Sequence, residues 1–183
     1  MPSIVIPNDV FFENLIDELS TSGSVLLTVK GWSMFPFFRN EKDAVLLRPF
    51  NPEEGLRKGD VALFRYRGKY ILHRCTGCGF ISPDAQIVML SQSKLKSILG
   101  RRAASLPPSP TPVYVFRGDG NPRGSEYAQA EAVYAVVEKK IAPSGKEWSC
   151  SSFSWKLCSR LWPSGYLLRR LFVGTFRRIP LFR

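Results

Sequence analysis

A serine hydroxyl attacks a carbonyl efficiently only when a base takes its proton, so a nucleophilic serine requires a base beside it. If that base is an imidazole, it can only be His73, the single histidine among 183 residues. The serine that pairs with it best is Ser33, in GWSMFP (31–36), directly after the apolar run SVLLTVK. Taken singly, a serine after Gly-Trp is an ordinary turn residue and a lone strand histidine an ordinary structural one. Four short motifs in order change that reading. They are G-x-S-M-x-P (Gly31, Ser33, Met34 and Pro36, with Trp32 before the serine), K-G-D-V (Lys58 to Val61, including Gly59 and Asp60), H-R (His73, Arg74) and G-D-x-N (Gly118, Asp119, Asn121). The chemistry on offer is acyl transfer: histidine takes the hydroxyl proton, serine attacks a peptide carbonyl, and water clears the acyl-enzyme. Histidine ordinarily changes charge near neutral pH, so such a base needs no heavy desolvation.

The elements that must position these residues are mostly strands. VFFENLIDELSTSG has apolar residues at 10, 11, 12, 15, 16 and 19, which is helical spacing, with Asn8 as cap and Gly23 as stop. Short β-rich runs broken by Gly, Pro and charge follow: 24–30, 44–48, 60–66, 69–75, 86–90, 113–118 and 132–140. Arg67-Gly68 joins two of them as a hairpin turn, and alternation puts His73 on one face with Ile71 and Cys75, opposite Leu72 and Arg74. Cys75 is expected to end its strand, with Thr76-Gly77 beginning a turn. Residues 93–112, basic and proline-rich, read as an exposed excursion. The divisions are an amphipathic helix at 1–23, a mainly β domain at 24–142 and a basic, aromatic-rich extension at 143–183.

The ordered motifs resemble those of the signal peptidase I family and, more loosely, the SOS-repressor autoproteases, together the S24/S26 serine peptidases. The resemblance spans roughly 24–140. It implies a coiled β-sheet domain, Ser33 as nucleophile followed by the family's methionine at Met34, and His73 as general base, which places the chain with the Ser-His rather than the Ser-Lys branch. Gly31 stands where many signal peptidases carry an oxyanion-donating serine, so the hole would rest on backbone N–H groups such as that of Ser33. The histidine-type enzymes orient the imidazole with a carboxylate just past G-D-N-N; here Glu126 is the first candidate orienter and Asp119 the second. The implied function is a serine endopeptidase acting on a protein or precursor peptide, cleaving after small residues.

Composition sets the remaining bounds. The net charge is +11, and 151–183 holds seven cations, seven aromatics and no carboxylate. Pro163, Gly165, Gly174 and Pro180 prevent that segment from forming one long helix. It suits an anionic membrane surface, or it packs its aromatics on the domain; nucleic acid is the third and least favoured partner. Cys75-x-x-Cys78 lacks a partner pair of matching spacing in Cys150 and Cys158, so neither zinc nor a cofactor is expected and the thiols read as reduced. The N-terminal stretch lacks the pattern of a secretory signal and no window is apolar enough to span a membrane, so the expected location is cytoplasmic or peripheral to a membrane. The rival from another class is a non-catalytic peptide- or membrane-binding module on the same scaffold.

Overall fold

The computed structural model describes residues 8–81, 87–90, 111–121 and 124–162. Two helices, α1 (Asn8–Ser22) and α2 (Phe153–Leu161), accompany nine strands: β1 (Val25–Thr28), β2 (Ala44–Pro49), β3 (Val61–Tyr66), β4 (Lys69–Ile81), β5 (Ile87–Leu90), β6 (Thr111–Arg117), β7 (Glu126–Ala128), β8 (Val133–Ile141) and β9 (Glu147–Ser149). The strands form one sheet of order β1-β2-β8-β3-β4-β6-β7, with β5 added to β4 and β9 to β8. Every pairing is antiparallel. The fold is therefore mainly β.

The central strand shows why the sheet is covered on both faces. In β3, Val61 and Leu63 join a core with Leu15 and Leu19 of α1, while Ala62 and Phe64 join a second core with Cys75 and Phe116. Successive side chains of a strand point to opposite faces, so a continuous apolar run belongs where both faces are packed. Each large apolar side chain so buried contributes roughly 1.5–3 kcal/mol. Helix α1 ends where glycine was expected to stop it: Gly23 adopts φ +74° and its N–H donates to Leu19 O at 3.0 Å.

The hairpin carrying His73 is a two-residue turn with Tyr66 opposite Lys69. Arg67 and Gly68 both have positive φ, 48° and 76°, as a turn matching the strand twist requires. Beyond it the structure departs from expectation, because no turn begins at Thr76-Gly77. Strand β4 runs on to Ile81, with a register shift between Cys75 and Gly77. The bulge absorbs the extra residue, Thr76 Oγ1 donates to Val115 O at 3.1 Å, and pairing with β6 carries the strand onward. Tertiary pairing thus overrides the turn signal of Thr-Gly. The expected excursion at 93–112 lies outside the described residues as far as 110. After β8 the chain continues through β9 into α2, whose Trp155 reaches the α1-side core. Among the described residues no helix is long and apolar enough to cross a membrane.

Candidate active site

Ser33 sits on a loop between β1 and β2 whose neck is closed by backbone bonds, Val29 N–H to Asp43 O (2.9 Å) and Glu41 N–H to Val29 O (2.8 Å). Gly31, at φ +95°, turns the chain into the loop, and its N–H donates to Asn40 Oδ1 at 2.7 Å. Met34, Phe35 and Phe38 are buried beneath and anchor the segment, leaving Ser33 half-buried. Fully buried Asp43 ties the loop to β8: Arg39 Nη2 lies 2.7 Å from Oδ1, and Lys140 Nζ lies 3.0 Å from Oδ2 and donates to Phe37 O at 2.6 Å. Burial alone would raise the Asp43 pKa. Hydrogen bonds from the Arg39 side chain and backbone, with the Lys140 ammonium, outweigh it and hold the carboxyl below its ordinary value.

His73 lies on β4 opposite Ala62 and is 4% exposed. Its Nδ1 is 3.0 Å from Glu126 Oε2. Glu126 opens β7 and is in register with Phe116 of β6, so the strand between carries the carboxylate to the ring. A carboxylate accepts only, which assigns a proton to Nδ1; in the neutral ring Nε2 then keeps its lone pair. Nε2 lies against Gly118. A Cβ added there would meet Nε2 at 2.9 Å, Asn121 Nδ2 at 2.8 Å and Ser33 O at 2.6 Å. The Ser33 carbonyl and the imidazole are therefore neighbours, no further apart than the sum of two of those distances. Gly120 N–H donates to Ser33 O at 2.7 Å, and Asn121 N–H closes the turn on Gly118 O at 3.1 Å. A side chain at Gly120 would collide with the Trp32 carbonyl. The G-D-x-N motif is thus a turn wedged between the serine loop and the histidine, and its two glycines are where backbone must pass close.

Among the described residues the Ser33 hydroxyl makes no hydrogen bond to the His73 ring. The Ser33 N–H likewise has no acceptor among them, the loop's internal bonds running from Phe35 N–H to Trp32 O and from Phe38 N–H to Met34 O.

The two candidate orienters go separate ways. Glu126 bonds His73, whereas Asp119, 1% exposed, pairs with Arg74 on the opposite side of β4: Nε to Oδ1 at 2.9 Å and Nη2 to Oδ2 at 2.7 Å. Arg74 Nη1 also donates to Gly59 O (2.8 Å) and Ser159 Oγ (2.9 Å), and its guanidinium lies 4.6 Å from the Phe37 ring centroid. The K-G-D turn is fastened to β4 by Gly59 N–H to Cys75 O (2.8 Å) and Cys75 N–H to Asp60 O (2.7 Å). Gly59, Asp60, Arg74 and Asp119 therefore brace the site rather than enter it. Removing one partner of such a buried pair strands the other charge at a cost of roughly 3–5 kcal/mol.

Three bracing residues escaped the sequence reading because they lie in the basic tail. Trp155 packs on Phe37 and Phe38, Ser159 receives Arg74, and Trp162 Nε1 donates to Asp119 O at 3.2 Å. The available signal was Ser152 ahead of FSWKL: its hydroxyl caps α2 by accepting from Trp155 N–H. Cys75 and Cys78 are buried and in no disulfide among the described residues, and burial pushes the Cys75 thiol up to about 12. Among the described residues no three His, Cys, Asp or Glu side chains are grouped to hold a metal. Compared with known proteins, the sequence matches no family model and no curated protein.

Proposed function

We propose that the chain is a serine endopeptidase of the S24/S26 type, with Ser33 as nucleophile, His73 as general base and Glu126 as the residue that orients the base. The observation that carries this reading is the imidazole, held at Nδ1 by a carboxylate 3.0 Å away while Nε2 lies against the turn that touches the Ser33 carbonyl. A buried histidine with one nitrogen fixed and the other presented to a serine loop is the arrangement a proton shuttle needs.

In the reaction, Nε2 takes the Ser33 proton as Oγ attacks the substrate carbonyl. The oxyanion is received by backbone N–H groups including that of Ser33, since Gly31 has no side chain to donate. Glu126 stabilises the imidazolium, which protonates the leaving amine. His73 then deprotonates a water that attacks the acyl ester and frees Ser33. The substrate is an extended segment of another protein lying along β1, which pairs only with β2 among the described residues and runs directly into the serine loop.

The missing Ser33–His73 hydrogen bond favours a second reading, a non-catalytic binding module. Catalytic hydrogen bonds are often long without substrate and tighten in the Michaelis complex, which keeps the peptidase reading first. Incubating denatured cellular proteins with wild type, Ser33→Ala and His73→Asn, and sequencing new N-termini by mass spectrometry, separates the two. The peptidase yields termini with wild type alone; identical termini from Ser33→Ala end the proposal.

A further inference from the structure

A cavity of about 870 Å³ opens between the turn before β3, the Arg74–Asp119 pair and α2; neither Ser33 nor His73 lines it. Its wall carries five cations, Arg57, Lys58, Arg74, Arg117 and Lys156, against two carboxylates. Asp119 is held by Arg74, and Asp60 Oδ2 accepts the Arg57 backbone N–H at 2.7 Å. Among the described residues no ion pair engages the side chain of Arg57, Lys58 or Lys156, all three exposed. A concave wall with uncompensated charge of one sign concentrates ions of the other.

The rest of the lining says what kind of anion fits. Trp155 lies in the same wall, 9% exposed, and its buried indole N–H has no acceptor among the described residues. That N–H is closed to a water-sized molecule, so the Trp155 ring reports on the cavity without contacting the anion. Phe153 and Leu157, four residues apart on α2, also line the cavity and are 81% and 43% exposed. The volume falls within the roughly 300–1,000 Å³ of small-molecule pockets and far exceeds what a bare inorganic anion fills. Its concavity suits a small molecule better than a flat membrane surface.

We propose that this cavity is a binding site for a small organic anion. Its oxyanion group is taken by Arg57, Lys58 and Lys156, and its apolar body lies on Phe153 and Leu157. The site stands independently of the role of Ser33.

The test uses the full chain and three probes: the aromatic sulfonate 8-anilinonaphthalene-1-sulfonate, the uncharged N-phenyl-1-naphthylamine, and phosphatidylglycerol vesicles. The sulfonate should bind saturably at one site and shift the assigned Trp155 indole N–H resonance. Binding should weaken roughly tenfold in Arg57→Glu and again in Lys156→Glu, both exposed positions whose charge reversal leaves the fold intact. The uncharged probe should bind at least tenfold more weakly. Ser33→Ala should bind the sulfonate as wild type does, which separates this outcome from the fate of the peptidase reading. Equal affinity for both dyes, unchanged binding by the double charge reversal, or vesicle binding with an unmoved Trp155 resonance would each overturn the proposal, the last in favour of a membrane surface.

Discussion

Gly118→Ala probes the closest approach in the site. Gly118 does not occupy the left-handed region, so alanine brings no backbone penalty and the effect is steric. The added methyl would lie 2.6 Å from Ser33 O, 2.8 Å from Asn121 Nδ2 and 2.9 Å from His73 Nε2. Ordinary carbon contacts begin near 3.5 Å, so loop and imidazole must each retreat by more than about half an ångström. Overpacking of this kind costs roughly 1–3 kcal/mol, which for a chain of this length lowers Tm by roughly 2–12 °C. The same retreat separates nucleophile from base, and misplacement approaching 1 Å costs up to about 10²-fold in rate. Thermal melts and rates of new N-terminus formation should therefore show a moderate loss of stability with a ten- to hundredfold loss of rate, roughly. Gly145→Ala is the control: at φ +78° with nothing within 4 Å of its Cβ, in the turn before β9, it strains the backbone by roughly 1–3 kcal/mol without touching the site and keeps full activity. A Gly118→Ala enzyme as fast and as stable as wild type would refute the wedge geometry.

Glu126→Gln preserves the shape of the His73 contact and removes its charge; kcat should fall by roughly 10²–10⁴ with little change in Tm. Asp43→Asn takes the counter-charge from half-buried Lys140 and should cost roughly 1.5–3 kcal/mol by urea unfolding. Because the folded Asp43 carboxyl is held below its ordinary value, its contribution is complete above roughly pH 4 and disappears as pH falls further. Wild-type Tm should therefore drop more steeply below that pH than the variant's. Iodoacetamide at pH 8, followed by peptide mass mapping, should label exposed Cys158 well ahead of Cys75 and Cys150, both thiols being pushed up to about 12 by burial. Cys75 labelling as fast as Cys158 would contradict its place in the core.

Local signals made much of the scaffold legible. The helix at the N-terminus, the Arg67-Gly68 turn and the face shared by His73 and Cys75 all follow from periodicity or glycine chemistry within a few residues. What escaped depends on partners distant in sequence. Strand β4 outruns Cys75 because β6, some 40 residues on, pairs with it across a bulge. β7 and β9 are three-residue strands defined by their neighbours, too short for alternation to declare. In the site, the resemblance puts Glu126 ahead of Asp119, while the Arg74–Asp119 pair, reaching across 45 positions, is visible only in three dimensions. The tail's aromatics could not be apportioned between membrane and core by composition, and Trp155 now has a place in the core.

Acyl-enzyme trapping tests the central claim most directly. A substrate peptide found in the cleavage screen is mixed with the wild-type chain, quenched in acid within the first turnover, and the digested protein is searched by mass spectrometry for an acyl adduct. The account predicts an ester on Ser33 in the 31–36 segment, absent from Ser33→Ala and sharply reduced in His73→Asn. Cleavage without any adduct at Ser33, or with an adduct on another residue, would contradict it.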